Sequence, residues 1–128
     1  MLLDIRPFRA SMKLDRDHWL PKMKPLGSSR IELAFRRTFT LPEAERLRAG
    51  LWPQVMEDKW VVWLGDSSLD LWRSWTGSCI FSLAAQASAS GLIVGPLLVS
   101  TDMTQYCRQN DAEDIRIVES LIGRTLTA

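Results

Sequence analysis

Residues 59–83 read KWVVWLGDSSLDLWRSWTGSCIFSL and contain the strongest β-strand pattern in the chain. Two apolar-rich segments, 59–64 and 69–74, flank the turn-forming residues Gly65 to Ser68, which is typical of a β-hairpin. This loop length places Trp60 opposite Arg73. A second turn, Trp75 to Ser78, then predicts a return strand and a three-stranded meander.

Both faces of this predicted meander are apolar. Strand alternation puts one set of residues on the first face: Trp60, Val62, Leu64, Leu69, Leu71 and Ile80. It puts a second set on the other face: Val61, Trp63, Trp72, Cys79, Phe81 and Leu83. An antiparallel sheet often has one face in water. We therefore expect this sheet to be covered on both sides, closed into a barrel, or covered in part by a partner.

Two helices are predicted outside the meander. Thr40 and Glu43 form a capping box, and Gly50 suits a helix end, which predicts a short helix near 41–49. Asn110 or Asp111 can cap a C-terminal helix. Its apolar residues recur at helical spacing: Ile115, Val118, Ile122 and Leu126.

The remaining segments are less regular. Arg30 to Phe35 alternates like a half-buried strand, and Leu92 to Val99 predicts another strand that Pro96 restricts to an edge or a bulge. Ala84 to Ser90 suggests a loop or a frayed strand end. The first 28 residues, with three prolines, suggest an irregular covering segment with one strand near its start. We predict a single α+β domain, 1–128, with an antiparallel meander sheet of four or five strands, the two helices and this segment.

The bulk composition restricts the partners of the protein. The 128 residues carry a net charge of +1, so neither nucleic acid nor a membrane surface is an expected partner. No apolar run approaches the length of a spanning helix, and the N-terminus does not resemble a signal peptide, which favours a cytoplasmic location. A single histidine and two cysteines without metal-ligand spacing predict no metal site, and no cofactor motif is present.

Six tryptophans are far more than a chain of this length usually has. They are typical of binding surfaces, where an indole anchors a partner. They are equally typical of a small core, because each indole buries a large apolar area. Trp75 and Trp52 are the two that the hairpin register leaves as the best surface candidates.

A candidate site lies where the loop before the hairpin meets the second turn. It comprises Trp52, Glu57, Asp58, Lys59, Arg73, Ser74, Trp75, Thr76 and Gly77. Carboxylates beside an arginine can divide acid and base roles, and the turn can offer main-chain donors to an anion. In the structural alternative, Arg73 stacks on Trp60 and pairs with Asp58 or Glu57.

Residues 47–81, with their GLWP, MEDKW and RSWTG patterns, resemble a group of small uncharacterised bacterial proteins; residues 110–126 show a weaker likeness. The resemblance implies an association with ADP-ribose and bacterial conflict systems, and it names no chemistry. The sequence argues against one enzyme class, because mono-ADP-ribosyltransferases of the arginine, serine, glutamate type need an ExE pair downstream of the serine and nothing after Ser74 supplies it.

These observations favour a binding role over an enzyme. We expect an immunity, antitoxin or inhibitor protein that occludes a protein partner through its Trp-rich sheet. The alternative is an enzyme acting on a nucleotide or ADP-ribose-like substrate, with Glu57 or Asp58 as acid/base, Arg73 binding an anion and Trp75 stacking on a base. A homodimer formed through the Trp face is compatible with the binding role.

Overall fold

The computed structural model describes residues 14–128 as an antiparallel sheet with three α-helices. Its elements are α1 (Arg16–Trp19), a 3₁₀ helix (Leu20–Lys22), β1 (Arg30–Leu33), β2 (Arg37–Thr40), α2 (Leu41–Ala49), β3 (Trp60–Leu64), β4 (Ser68–Arg73), β5 (Cys79–Ser88), β6 (Gly91–Ser100) and α3 (Asp111–Thr127). The α+β prediction is confirmed. The strand predicted near the N-terminus lies outside the described residues.

The sheet has six strands in the order β1, β6, β5, β4, β3, with β2 also paired to β6. β1 and β2 lie one after the other along the same edge of β6, so they occupy one edge position with a break at 34–36. The predicted hairpin is confirmed in its register, with Trp60 opposite Arg73 and Leu64 opposite Leu69. β2 was not among the strands predicted from the sequence.

The two predicted helices begin where their caps require. The Thr40 hydroxyl accepts the N–H of Glu43, whose side chain accepts the N–H of Thr40, which completes the predicted capping box of α2. Asn110 caps α3 through the N–H of Glu113 at 2.8 Å. Both helices pack on one face of the sheet and enclose the main core, whose fully buried members include Leu47, Phe81 and Ile122.

A buried carboxylate fixes the start of α3. Asp114 is fully buried and accepts hydrogen bonds from the Tyr106 hydroxyl at 2.6 Å and from Arg108 Nε at 2.9 Å. The Arg108 guanidinium also bonds Asp111. These contacts satisfy the buried charge and tie the loop after β6 to the helix.

The opposite face of the sheet carries a smaller core, built from Val61, Trp72 and Cys79. It is covered by α1, the 3₁₀ helix and the irregular chain that follows them up to β1. The covering side chains are Trp19, Leu20, Met23 and Leu26, with Trp52 and Trp63 at the margin. Of the three arrangements that the apolar faces allow, cover on both sides is therefore the one present in the described residues.

Two side chains lie on the face opposite to the predicted one. Phe81 and Leu83 belong to the helix-covered core, together with Ile80. The pairing of β4 with β5 shifts between Leu71 and Trp72, which pair with Phe81 and Cys79. Ile80 is therefore an extra residue in β5, and such a bulge reverses the alternation beyond it.

The predictions for 84–99 were partly wrong. β5 continues to Ser88 where a loop or frayed end was expected, and β6 is paired on both sides, so Pro96 does not lie on an edge strand. The predicted bulge is present. Pairing on both sides of β6 skips Gly95 and Pro96, which accommodates a residue that has no N–H to donate.

Candidate functional site at the hairpin end

The loop before β3 and the turn after β4 are joined by three hydrogen bonds. Ser74 donates twice, from its N–H to the Lys59 carbonyl at 2.9 Å and from its hydroxyl to the Asp58 carbonyl at 3.0 Å. Trp75 Nε1 donates to the Met56 carbonyl at 3.2 Å. Ser74 is buried as a result, and the two segments form one surface, as the sequence register predicted.

Asp58 organises the loop rather than facing the solvent freely. Its Oδ2 accepts the main-chain N–H of Gln54 at 3.0 Å and lies 3.4 Å from that of Val55. Its own N–H donates to the Val55 carbonyl at 3.1 Å. A carboxylate that accepts main-chain donors in this way is a typical turn stabiliser.

An apolar groove of about 340 Å³ runs along this surface. Its apolar lining consists of Leu14, Trp19, Pro53, Val55, Met56 and Trp75. The polar residues His18, Gln54, Asp58 and Ser74 complete the wall. The groove is large enough for one or two bulky side chains and belongs to the small end of ligand pockets.

The groove coincides with the largest concentration of exposed apolar side chains in residues 14–128. Six large apolar side chains are exposed in the whole of this range, and three of them, Val55, Met56 and Trp75, line the groove. Their exposed fractions are 57%, 74% and 69%. Single exposed apolar residues are ordinary, but a contiguous group beside a concavity indicates an interaction surface.

The other tryptophans have mainly structural contacts. Four indole N–H groups besides that of Trp75 donate to main-chain carbonyls: Trp19 to Pro53, Trp52 to Ala49, Trp63 to Arg48 and Trp72 to Lys24. Ala49 and Arg48 lie at the end of α2, where carbonyls lack partners within the helix. Trp60 instead stacks on Phe81, with ring centroids 5.9 Å apart. Most of the tryptophan excess therefore has a structural explanation.

Arg73 lies on the opposite side of the sheet from the groove. Its guanidinium carbon is 4.9 Å from the Trp60 ring centroid, and Trp60 packs against the helix-covered core. The stacking half of the structural alternative is thus present. The other half is not, because no ion pair within residues 14–128 joins Arg73 to Glu57 or Asp58.

The structure divides the predicted site residues into two groups. Asp58, Ser74 and Trp75 line the groove. The others are not among its lining residues: Trp52, Glu57, Lys59, Arg73, Thr76 and Gly77. Among these, Trp52 is half-buried with its ring against Gly50, and Gly77 closes the turn, with φ of +73°.

Apart from Trp75, the apolar lining of the groove was not predicted from the sequence. Pro53, Val55 and Met56 lie in one irregular loop, where no periodicity assigns a face, and Leu14 and Trp19 come from a distant part of the sequence. The useful signal was the pair Val55 and Met56 itself, two large apolar residues in a loop between Gln54 and Glu57. Loops usually run over the surface, so such a pair points to exposed apolar area.

Burial raises the pKa values of two side chains on the face covered by residues 16–29, which we call the segment-covered face. Burial, with the nearby Asp70 charge as a second cause, raises the pKa of the Cys79 thiol to about 12. Burial also raises the pKa of Asp70, against the opposing effect of hydrogen bonds from Ser82 and Ser68. Cys79 and Cys107 are both free, and no group of three metal-ligating side chains occurs within 14–128.

Comparison of the chain with protein-family models, with curated proteins and with solved structures finds no match. The resemblance of residues 47–81 to a bacterial protein group therefore stays a prediction. None of the helices described in residues 14–128 is long and apolar enough to cross a membrane.

Proposed function

We propose that the protein is a small binding protein that occludes a protein partner with the groove at the hairpin end. The observation that carries the proposal is the clustering of Val55, Met56 and Trp75 as exposed side chains around one concavity. Tryptophan and methionine are enriched at protein interfaces, and a tryptophan beside a pocket is a typical energetic centre. The partner inserts a bulky apolar side chain into the groove.

The surface is prepared for binding because its main chain is already held. Asp58 fixes the loop, and Ser74 and Trp75 tie it to the turn. A preorganised surface loses less conformational freedom on association, which favours affinity. An immunity, antitoxin or inhibitor protein, whose activity is occlusion alone, is the class that uses such a surface most directly.

The enzymatic alternative, with Glu57 or Asp58 as acid/base and Arg73 binding an anion, has less support. Asp58 Oδ2 is occupied by main-chain donors, and Arg73 lies across the sheet from the groove. A homodimer formed through the groove is a special case of the binding proposal, in which the partner is a second copy.

The test compares capture by surface variants. Tagged wild-type protein is immobilised, bacterial lysate is passed over it, and the retained proteins are identified by mass spectrometry. Each candidate is then purified and its Kd measured. We expect Trp75→Ala and Met56→Ser each to weaken binding by about tenfold or more, as removal of an interface centre does. Ile93→Ser, an exposed apolar residue outside the groove, is the matched control.

Two further variants separate the alternatives. Glu57→Gln and Asp58→Asn keep the shape of the loop, because the amide oxygen introduced at position 58 would still accept main-chain N–H groups. Under the occlusion proposal both variants bind the partner with unchanged Kd. A partner held equally by wild type and Trp75→Ala would overturn the proposal. Loss of a measurable reaction in the carboxylate variants, with binding intact, would favour the enzyme.

A further inference from the structure

A second concavity, of about 240 Å³, lies between residues 24–29 and the strand ends of β5 and β6. It shares no lining residue with the groove. Its wall is fixed at both ends by the main chain: Lys24 N donates to the Gly77 carbonyl and Thr101 N donates to the Ser29 carbonyl, each at 2.9 Å. The concavity is therefore part of the folded framework, and replacing a lining side chain leaves these bonds in place.

Two largely buried serines line this pocket. Ser78 and Ser100 are only 5% and 3% exposed. Ser78 Oγ makes no hydrogen bond with any other described residue, and Ser100 Oγ accepts the N–H of Asp102 at 3.3 Å, which leaves its proton to donate. No side-chain oxygen that is fully buried within residues 14–128 lacks a partner, so Ser78 Oγ is open to the concavity and can bond a molecule that enters it.

The pocket carries one charge of each sign. Lys24 supplies a cation and Asp102 a carboxylate, and the remaining lining is serine, glycine, proline, Cys79 and Gln105. Asp102 Oδ1 accepts two hydrogen bonds from Thr104, from its N–H at 3.0 Å and its hydroxyl at 2.7 Å. These bonds lower the pKa of Asp102, so the carboxylate is ionised at neutral pH. They use Oδ1 alone and leave Oδ2 for another donor.

We propose that this pocket binds a small zwitterion, a free α-amino acid. Lys24 and the serine hydroxyls receive its carboxylate, and Asp102 Oδ2 with the Gln105 amide oxygen receives its ammonium group. A simple oxyanion is disfavoured because the negatively charged Asp102 carboxylate would repel it. A sugar would find no aromatic ring to stack on among the lining residues.

The test screens the common α-amino acids one at a time at millimolar concentration, by calorimetry and by amide NMR on the full chain. We expect saturable binding of at least one of them, with shifts of the Ser78 and Asp102 amides. Acetate and methylamine, which each carry one of the two charges, bind at least about tenfold more weakly, since each loses a charge-assisted contact.

Variants locate the binding. Lys24→Met and Ser78→Ala, each checked for an unchanged unfolding transition, weaken amino-acid binding by about tenfold, whereas Ser120→Ala on the exposed surface of α3 does not. The proposal is overturned if no amino acid binds, if acetate or inorganic phosphate binds as well as the amino acids, or if neither pocket variant affects binding. None of these outcomes affects the groove, whose residues are different.

Discussion

The two faces of the sheet are covered in different ways. The face toward α2 and α3 has a core of aliphatic side chains with Phe39, Phe81 and Tyr106, much of it completely buried. The other face has a core of Val61, Trp72 and Cys79, under a cover that consists of one short helix, a single 3₁₀ turn and irregular chain. The helices satisfy their own main-chain hydrogen bonds, but an irregular cover must find partners elsewhere.

Tryptophan indoles join this cover to the rest of the protein. The indole N–H of Trp72 reaches the Lys24 carbonyl at 2.7 Å, and that of Trp19 reaches the Pro53 carbonyl at 3.1 Å. Each ring buries a large apolar area at the same time as its N–H satisfies a carbonyl. The comparison shows that a cover without regular structure can be held by side-chain donors, and that the groove at the hairpin end is built on this second type of packing.

The largest effect is expected on the helix-covered face. Leu83→Ala removes a completely buried side chain from β5 and leaves a cavity, which destabilises the protein by about 2–5 kcal/mol. Urea unfolding followed by circular dichroism measures the change. Leu41→Ala, at an exposed position of α2, is the control and should cost much less. A similar loss in both variants would mean that this face is not the main core.

A backbone contact on the segment-covered face gives the next largest effect. Gly77 has φ of +73°, and a Cβ there would lie 2.3 Å from the Lys22 carbonyl oxygen. Gly77→Ala therefore combines backbone strain with a clash and should cost about 1–3 kcal/mol in chemical unfolding. Gly27→Ala is the matched control, since nothing lies within 4 Å of its Cβ position. Equal stability of the two variants would show that the covering segment can move away at little cost.

The same comparison explains how much of the fold the sequence predicts. Local chemistry was sufficient for the hairpin register and for both helix caps, because turn residues and the Thr40–Glu43 pair act within a few positions. The bulge at Ile80 was not predictable, because one inserted residue changes the face of Phe81 without altering the alternating pattern. β2 was missed since its only pairing is with β6, more than fifty residues away.

The candidate site was also predictable only in part. Its polar contacts, from Ser74 and Asp58, lie at the hairpin end, where strand register brings two sequence segments together. The groove itself also needs Leu14 and Trp19, which are placed by packing against the far side of the sheet. Sequence patterns indicate which segments pair within a sheet, but they do not indicate where an irregular segment is laid down.

A smaller and more local effect should follow loss of one indole donor. Trp72→Phe keeps an aromatic ring under the covering segment and removes the hydrogen bond to the Lys24 carbonyl, at a cost of about 0.5–1.5 kcal/mol. Because this bond holds the cover, trypsin should cleave after Lys22 faster than in wild type. Hydrogen exchange of the β5 and β6 amides should become faster only by the amount that the lower global stability accounts for. Trp60→Phe, on the other face, is the control; faster cleavage there as well would remove the special role assigned to Trp72.

The smallest effect is a pH dependence that belongs to the segment-covered face. Burial raises the pKa of Asp70 in the folded protein above its value in the unfolded chain, so the folded state holds the proton more tightly. The contribution of Asp70 to folding stability is therefore fully present below the ordinary aspartate pKa of about 4. It is lost as pH rises through the raised pKa of the folded state. Asp70→Asn removes this dependence, so its stability relative to wild type should increase from pH 3 to neutral pH, as measured by urea unfolding at each pH. Ser82→Ala removes a hydrogen bond that lowers the pKa of Asp70, so its unfolding free energy should fall more steeply with rising pH than that of the wild type. If the difference in unfolding free energy between Asp70→Asn and wild type did not change with pH, burial would not disfavour the ionised Asp70 carboxylate.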